Sequence, residues 1–420
     1  MKLIQLSILI CCITLLNGCA SISKGIAQAI LEQKKEDTRR CQVMGQPFQG
    51  IFPLVKDPTN TTKVLMVHGV GKHMPGYSTE LLHELSTKMG LNHVSKISKK
   101  INLIKPFDAT KKLGKLRVRR LSNEDNSHEL LFYELTWSEI TDHEKEVLAY
   151  DNSGDHSFRR TPINEALKKF ANDTIPDQMI YLGNDREDIL LSFSKAFCWM
   201  ISAAEWDDLP ETSKLACMPS KLSIENMRND HYVIISHSLG SRIAIDSLQR
   251  MARLFGDSQS EPMKTWGLAD KFVQAFKEKH IPIFMLANQL PLFQLGQNLP
   301  KITGQRDAYC RADGEHYDSR ILSETDIIAF SDPNDMLSYT IPHGFTERYI
   351  DSRLCAKTTN INLNVARVVD IFGVEIASPL QAHNGYHTDE RVIAMIVNGI
   401  DNENTSPIVN ERCTTMITTD

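Results

Sequence analysis

Between residues 233 and 254 the chain passes from a short apolar run, Val233-Ile234-Ile235, through Ser236-His237-Ser238-Leu239-Gly240 into a pattern that puts Ile243, Leu248, Met251 and Leu254 on one helical face. A β-branched run followed at once by helical periodicity reads as a strand running straight into a helix. The turn between them is tight, so the residues two before and two after its apex must be small, and Ser236 and Gly240 are. Such a turn holds the apex residue, Ser238, at the end of a sheet and over a helix N-terminus, with its hydroxyl presented outward. Gly is the usual first residue of this pattern; Ser236 departs from it while remaining small.

The rest of the chain supplies the sheet. Lys63 to Val67, Leu130 to Trp137, Tyr232 to Ile235, Ile283 to Ala287, Asp326 to Phe330 and Ile361 to Val369 read as strands. Leu81, Leu82, Leu85 and Met89, stopped by Gly90, read as a helix, as do Asp185 to Trp206 and a final helix after Thr388 carrying Ile393, Ile396 and Ile400. Strands alternating with helices predict an α/β fold with a mostly parallel sheet. With 41% hydrophobic and 24% charged residues the composition is that of a globular body, and the net charge of −5 does not mark a nucleic-acid binder.

A second signal follows the strand ending at Val67: His68-Gly69-Val70-Gly71. Glycines let backbone approach a ligand with no Cβ in the way. A tetrahedral intermediate needs two converging N–H donors, and the candidates are Leu239, the residue after Ser238, and Val70 in this loop. Lys72 does not make a phosphate loop, because the G-x-x-x-x-G-K-[ST] spacing is absent.

The order His-Gly loop, S-H-S-L-G, then Asp, then His resembles the α/β-hydrolase superfamily, closest to its lipase- and esterase-like members, from about Val64 to the last helix. The resemblance implies a mostly parallel eight-stranded sheet flanked by helices and a Ser-His-Asp triad, working without metal or organic cofactor. It implies an acid after a late strand, where Asp335 matches best and Asp332 is the rival. It implies a base after the last strand, where His383 is preferred and His387 is the runner-up. His237, beside Ser238, is given a packing or substrate-side role. The interval from Val70 to Ser238 is long for this plan, so a cap or insertion is expected within residues 91–230. That interval holds a basic stretch, Lys96, Lys99, Lys100, Lys105, Lys111, Lys112, Lys115, Arg117, Arg119 and Arg120 against Asp108, which reads as a solvated face or as a contact for anionic lipid head groups.

Residues 1–18 read as a secretory signal: Lys2, then a mostly apolar run from Leu3 to Leu16. Leu16-Asn17-Gly18-Cys19 resembles a bacterial lipobox, which implies lipidation of Cys19, and Ala20 after it implies the outer membrane. Residues 19–50 are expected to be a lipidated tether and 51–420 the hydrolase domain. Six cysteines remain beyond Cys19, an even number that permits up to three disulfides in an oxidising compartment, with the pairing open and Cys198 equally readable as a buried thiol. The expected activity is cleavage of a carboxylic or lipid ester at a membrane. The competing expectation is a non-catalytic envelope scaffold of the same fold.

Overall fold

The computed structural model describes residues 39–417, apart from 95–96, 107, 154–159, 211, 214–216, 218–220, 257–268, 372–373 and 402. The expected signal peptide, Cys19 and the first twenty residues of the expected tether lie outside the described residues. Arg40–Asp420 forms one compact unit.

Ten strands of at least four residues build the main sheet: β1 (Cys41–Gly45), β2 (Thr62–Val67), β3 (Lys99–Lys105), β4 (Asp108–Ser122), β5 (Glu129–Thr136), β6 (His231–His237), β7 (Ile283–Leu286), β8 (Thr325–Ser331), β9 (Ala356–Leu363) and β10 (Cys413–Ile417). Their spatial order is β10-β1-β9-β8-β7-β6-β2-β5-β4-β3, with the short strands Thr212–Ser213 beside β3 and Asn92–His93 beside β4. The run from β5 to β9 is parallel; β4 and β3 on one side and β1 on the other are antiparallel to their inner neighbours. The architecture is therefore α/β with a largely parallel mixed sheet. It has twelve strands among the described residues where eight were expected.

The central strands are apolar because both faces are covered. Side chains alternate across a strand, so Leu65 and Val67 enter one core while Val64 and Met66 enter the other. The first core is closed by the helices Arg186–Ser202 and Leu239–Gly256, the second by Thr79–Met89 and Glu390–Asn398. Gly90 ends its helix in the left-handed conformation, φ 67°, as its sequence position predicts.

Three expectations change. The body begins at Arg40, about ten residues before the expected boundary at 51, because β1 pairs with both β9 and β10. The strand expected over Ile361 to Val369 is two strands, β9 and Val368–Ile371, the latter paired with Val374–Ala377 outside the main sheet. The break is made by Asp332, whose carboxylate accepts from Val365 N (2.6 Å) and Ala366 N (3.0 Å) and pulls the chain off the ladder. The last helix, whose sequence offers Thr388 as its cap, is capped one residue later by Asp389, which accepts from Arg391 N and Val392 N.

Part of the 91–230 interval, the hairpin β3–β4, extends the sheet instead of forming a cap. Five of its basic residues are answered by acids: Lys105 by Asp188 (2.7 Å), Lys111 by Asp188, Lys115 by Glu139, Arg117 by Glu134 (3.5 Å) and Arg120 by Glu129 (2.6 Å). Charge spent on these pairs is less available to anionic head groups.

All six body cysteines are paired, Cys41 with Cys413, Cys198 with Cys217 and Cys310 with Cys355. Cys198 is thus not a free thiol. The first bridge ties the two strands at one edge of the sheet.

Lys63 is fully buried at the start of β2. Its ammonium donates to Met200 O (2.9 Å), Ala203 O (2.5 Å) and Asp230 Oδ2 (2.5 Å), so all three protons are used. Lys63→Ala would strand the Asp230 carboxylate and is expected to cost about 3–5 kcal/mol in urea unfolding. The double variant Lys63→Met/Asp230→Leu should recover much of that loss. Equal stability of Lys63→Ala and wild type would show the pair is not a structural fastening.

Candidate active site

Because β2, β6, β7, β8 and β9 are parallel, the loops that follow them meet at one end of the sheet. Ser238 stands there, between β6 and the helix beginning at Leu239. Its φ of 56° lies in the left-handed region, which costs a non-glycine residue about 1–3 kcal/mol and must be imposed by its surroundings. Ser238 N donates to Leu286 O (2.9 Å), and Ser241 donates back to Ser238 O through its amide and its hydroxyl. The small neighbours are required by space. A Cβ on Gly240 would sit 2.4 Å from Val67 O, and one on Gly69 would sit 2.5 Å from Ser238 Cβ. The His68-Gly69-Val70-Gly71 loop therefore runs directly beside Ser238.

His383 lies on the helix Pro379–Asn384, in the segment after β9. Its Nε2 is 3.1 Å from Ser238 Oγ and its Nδ1 is 2.8 Å from Asp335 Oδ2. Asp335 comes from the loop after β8, where its other oxygen accepts from Leu337 N (2.9 Å). With the carboxylate fixing the proton on Nδ1, Nε2 is the nitrogen free to accept from the Ser238 hydroxyl. The structure thus brings Ser238, His383 and Asp335 into one hydrogen-bonded line.

The two rivals have other occupations. Asp332 holds Val365 N and Ala366 N with one oxygen and Asn334 N (2.7 Å) with the other, and its own N–H donates to Tyr386 Oη (2.7 Å). It shapes the loops that carry Asp335 and His383 and does not touch His383. His387 sits in the short turn Gly385–His387, with its Nε2 buried and unpartnered among the described residues. Burial and the nearby His73 and His383 push its pKa down to about 4, so it stays neutral at ordinary pH.

Of the expected N–H donors, Leu239 opens its helix, where amides have no acceptor one turn back. Val70 lies in the loop packed against Ser238, and that loop is bolted from two sides. His68 stacks on Trp137 (4.8 Å between ring centres, 11°), accepts from Trp137 N at Nε2 (3.1 Å), and donates from Nδ1 to Gly69 O (2.8 Å). Burial holds His68 well below its ordinary pKa, in keeping with the acceptor role of Nε2. From above, Asp177 on the helix Pro162–Leu182 accepts from Gly71 N at 2.6 Å. Trp137 was expected as the last residue of the strand from Leu130 and instead lies one residue past β5, and neither its role nor that of Asp177 was legible.

His237 is a further residue that sequence reasoning undervalued. It is buried, and its Nε2–H donates to the backbone carbonyl of His383 at 2.8 Å. A carbonyl accepts only, so this nitrogen carries the proton, and burial with the neighbouring imidazoles keeps the ring neutral by pushing its pKa well below the usual range. The strand that presents Ser238 thereby also holds the segment that presents His383. His237→Ala is expected to lower kcat for a small ester about 10–100-fold with a smaller change in KM, since misplacement by about 1 Å can cost that much. An unchanged kcat would show that the contact does not position His383.

Among the described residues no helix is long and apolar enough to cross a membrane. No family model, curated protein or solved structure matches this chain.

Proposed function

We propose that the protein is a membrane-tethered serine hydrolase of the α/β-hydrolase type that cleaves carboxylic or lipid esters. The observation that carries this is the line Ser238 Oγ, His383 Nε2 (3.1 Å), His383 Nδ1, Asp335 Oδ2 (2.8 Å), with Ser238 forced to φ 56° at a strand-to-helix turn. A serine that merely ended a strand would not need a strained backbone together with an oriented base.

In the proposed reaction Ser238 Oγ attacks the ester carbonyl as its proton passes to His383 Nε2. Asp335 stabilises the imidazolium so formed. The Leu239 and Val70 N–H groups receive the oxyanion. Collapse expels the alcohol, which takes the proton from His383, and leaves an acyl group on Ser238. Water, deprotonated by His383, attacks the acyl-enzyme and releases the acid. The reaction calls on no metal or cofactor.

The envelope location rests on the lipobox-like Leu16-Asn17-Gly18-Cys19 and the residue after it, Ala20, which favour a lipid anchor at Cys19 and the periplasmic side of the outer membrane. Six cysteines joined in three pairs favour an oxidising compartment. The reading is tested by whether a fluorophosphonate reacts with Ser238 and whether a short-chain ester is hydrolysed by wild type and not by Ser238→Ala.

A further inference from the structure

In the parallel run β5 to β9, every segment that follows a strand at its carboxyl end, apart from the turn at Ser238 itself, carries a long apolar side chain in solvent on a loop or helix. Met74 follows β2, Met179 follows β5, Leu295 follows β7, Met336 follows β8 and Leu380 follows β9. Each is between 60% and 73% exposed. These segments are remote in sequence and are gathered only by the fold, so the clustering is not a local accident of composition. At the opposite end and edges the exposed large apolar residues are a smaller set, Val94, Ile97, Leu222 and Met416.

The helix Pro162–Leu182 sharpens the point. A surface helix ordinarily turns apolar residues inward and polar residues outward. Here the buried positions are Thr174, Asp177 and Tyr181, while Leu167, Ile175 and Met179 face out. Asp177 is committed to Gly71 and to Thr141 Oγ1 (2.6 Å), and Tyr181 to Asp246 (2.6 Å), so the polar face cannot turn outward without breaking these bonds. The outward apolar face is held in place by the polar inward one.

One observation selects the occupant. β1 runs antiparallel to β9, with Cys41 opposite Leu363, the last residue of β9. The chain therefore enters the body at the same end of the sheet as Ser238 and the apolar rim. Only 21 residues lie between Cys41 and Cys19, the expected lipid attachment. A lipid there draws this end of the sheet, not the opposite one, toward a bilayer.

We infer that the carboxyl end of the sheet is a membrane-docking face, in which the rim of Met74, Met179, Leu295, Met336 and Leu380 enters the head-group and upper acyl region of a bilayer around Ser238. The substrate that this face presents to the site is an ester of a membrane lipid, drawn from the leaflet and not from solution. The substrate statement rests on the hydrolase reading above; the docking face rests on the geometry and the lipid anchor.

The six paired body cysteines allow a clean probe. Met336→Cys, Leu380→Cys and, for comparison, Ile97→Cys are made in the full lipidated chain, labelled with a polarity-sensitive dye, and reconstituted in vesicles of phosphatidylethanolamine and phosphatidylglycerol. Thermal unfolding identifies variants that keep the fold, and Met74→Cys substitutes for either rim position that does not. The rim dyes should shift to an apolar spectrum and be quenched severalfold more than the Ile97→Cys dye by lipids spin-labelled high on the acyl chain. Equal, weak quenching at all positions would overturn the docking face. So would a rim signal that follows protein density on the vesicle and not the quencher, which would mark a second copy as the occupant. Quenching at the rim in a protein without ester hydrolysis would uphold the docking face and remove the reaction, whereas hydrolysis without quenching would remove the docking face alone.

Discussion

His383→Ala is expected to abolish ester hydrolysis, with kcat falling by at least about 10⁴, while His387→Ala keeps a substantial fraction of activity. The reason lies in what each ring touches. His383 bridges Ser238 Oγ and Asp335 Oδ2, so its loss removes the only group among the described residues in hydrogen-bond reach of the nucleophile that can take a proton. His387 packs against His237 (5.3 Å between ring centres) and is held neutral down to about pH 4. Its removal leaves a void beside His237 and a modest loss through packing, not the loss of a proton acceptor. The comparison requires both variants folded, which a thermal melt checks. Full activity in folded His383→Ala, or inactivity in folded His387→Ala, would move the base to another residue.

Asp335→Asn and Asp332→Asn should separate along different axes. An amide at 335 no longer fixes the proton on Nδ1 or supports the imidazolium, and about 10⁴ in kcat should be lost with little change in melting temperature. An amide at 332 loses part of an acceptor that serves Val365 N, Ala366 N and Asn334 N, a cost of about 1–3 kcal/mol for buried donors left short of a partner. Its defect should appear chiefly in stability, with a smaller effect on kcat through the loops it organises. If Asp332→Asn is the slow, stable variant and Asp335→Asn is fully active, the roles are reversed.

Ser238 and Asp335 could be picked from sequence because each sits shortly beyond an apolar strand, and the sheet gathers such positions at one end; His383, twenty residues past β9 and on the short helix Pro379–Asn384, was reached through the chain order of the resembled family. What could not be read was whatever depended on partners far along the chain. β10 is a short edge strand and β1 the short strand beside it, both with polar residues, Cys41-Gln-Val-Met-Gly45 and Cys413-Thr-Thr-Met-Ile417, and only the pairing of β1 with β9 and of the two with each other makes them strands. The hairpin β3–β4 reads as a charged run because its lysines and arginines pair with acids 9 to 83 residues away. Asp332 and Asp335 look alike in a D-P-N-D turn, and each gives one oxygen to an amide two residues on; the difference is that the second oxygen of Asp332 is taken up by backbone amides more than thirty residues on, and that of Asp335 faces an imidazole. His237 reads only as a packing or substrate-side residue, since its partner is a backbone carbonyl 146 residues ahead. The inverted helix Pro162–Leu182 escaped for a related reason. Its buried face is polar, so periodicity of apolar residues points to the wrong side.

The central claim is that Ser238 is an activated nucleophile, and covalent labelling of the purified, folded chain by a fluorophosphonate tests it most directly. The account predicts stoichiometric modification that peptide mapping assigns to Ser238, rapid in wild type, absent in Ser238→Ala and strongly slowed in His383→Ala. A folded wild-type protein that takes up no probe, or takes it up at another serine, would contradict it.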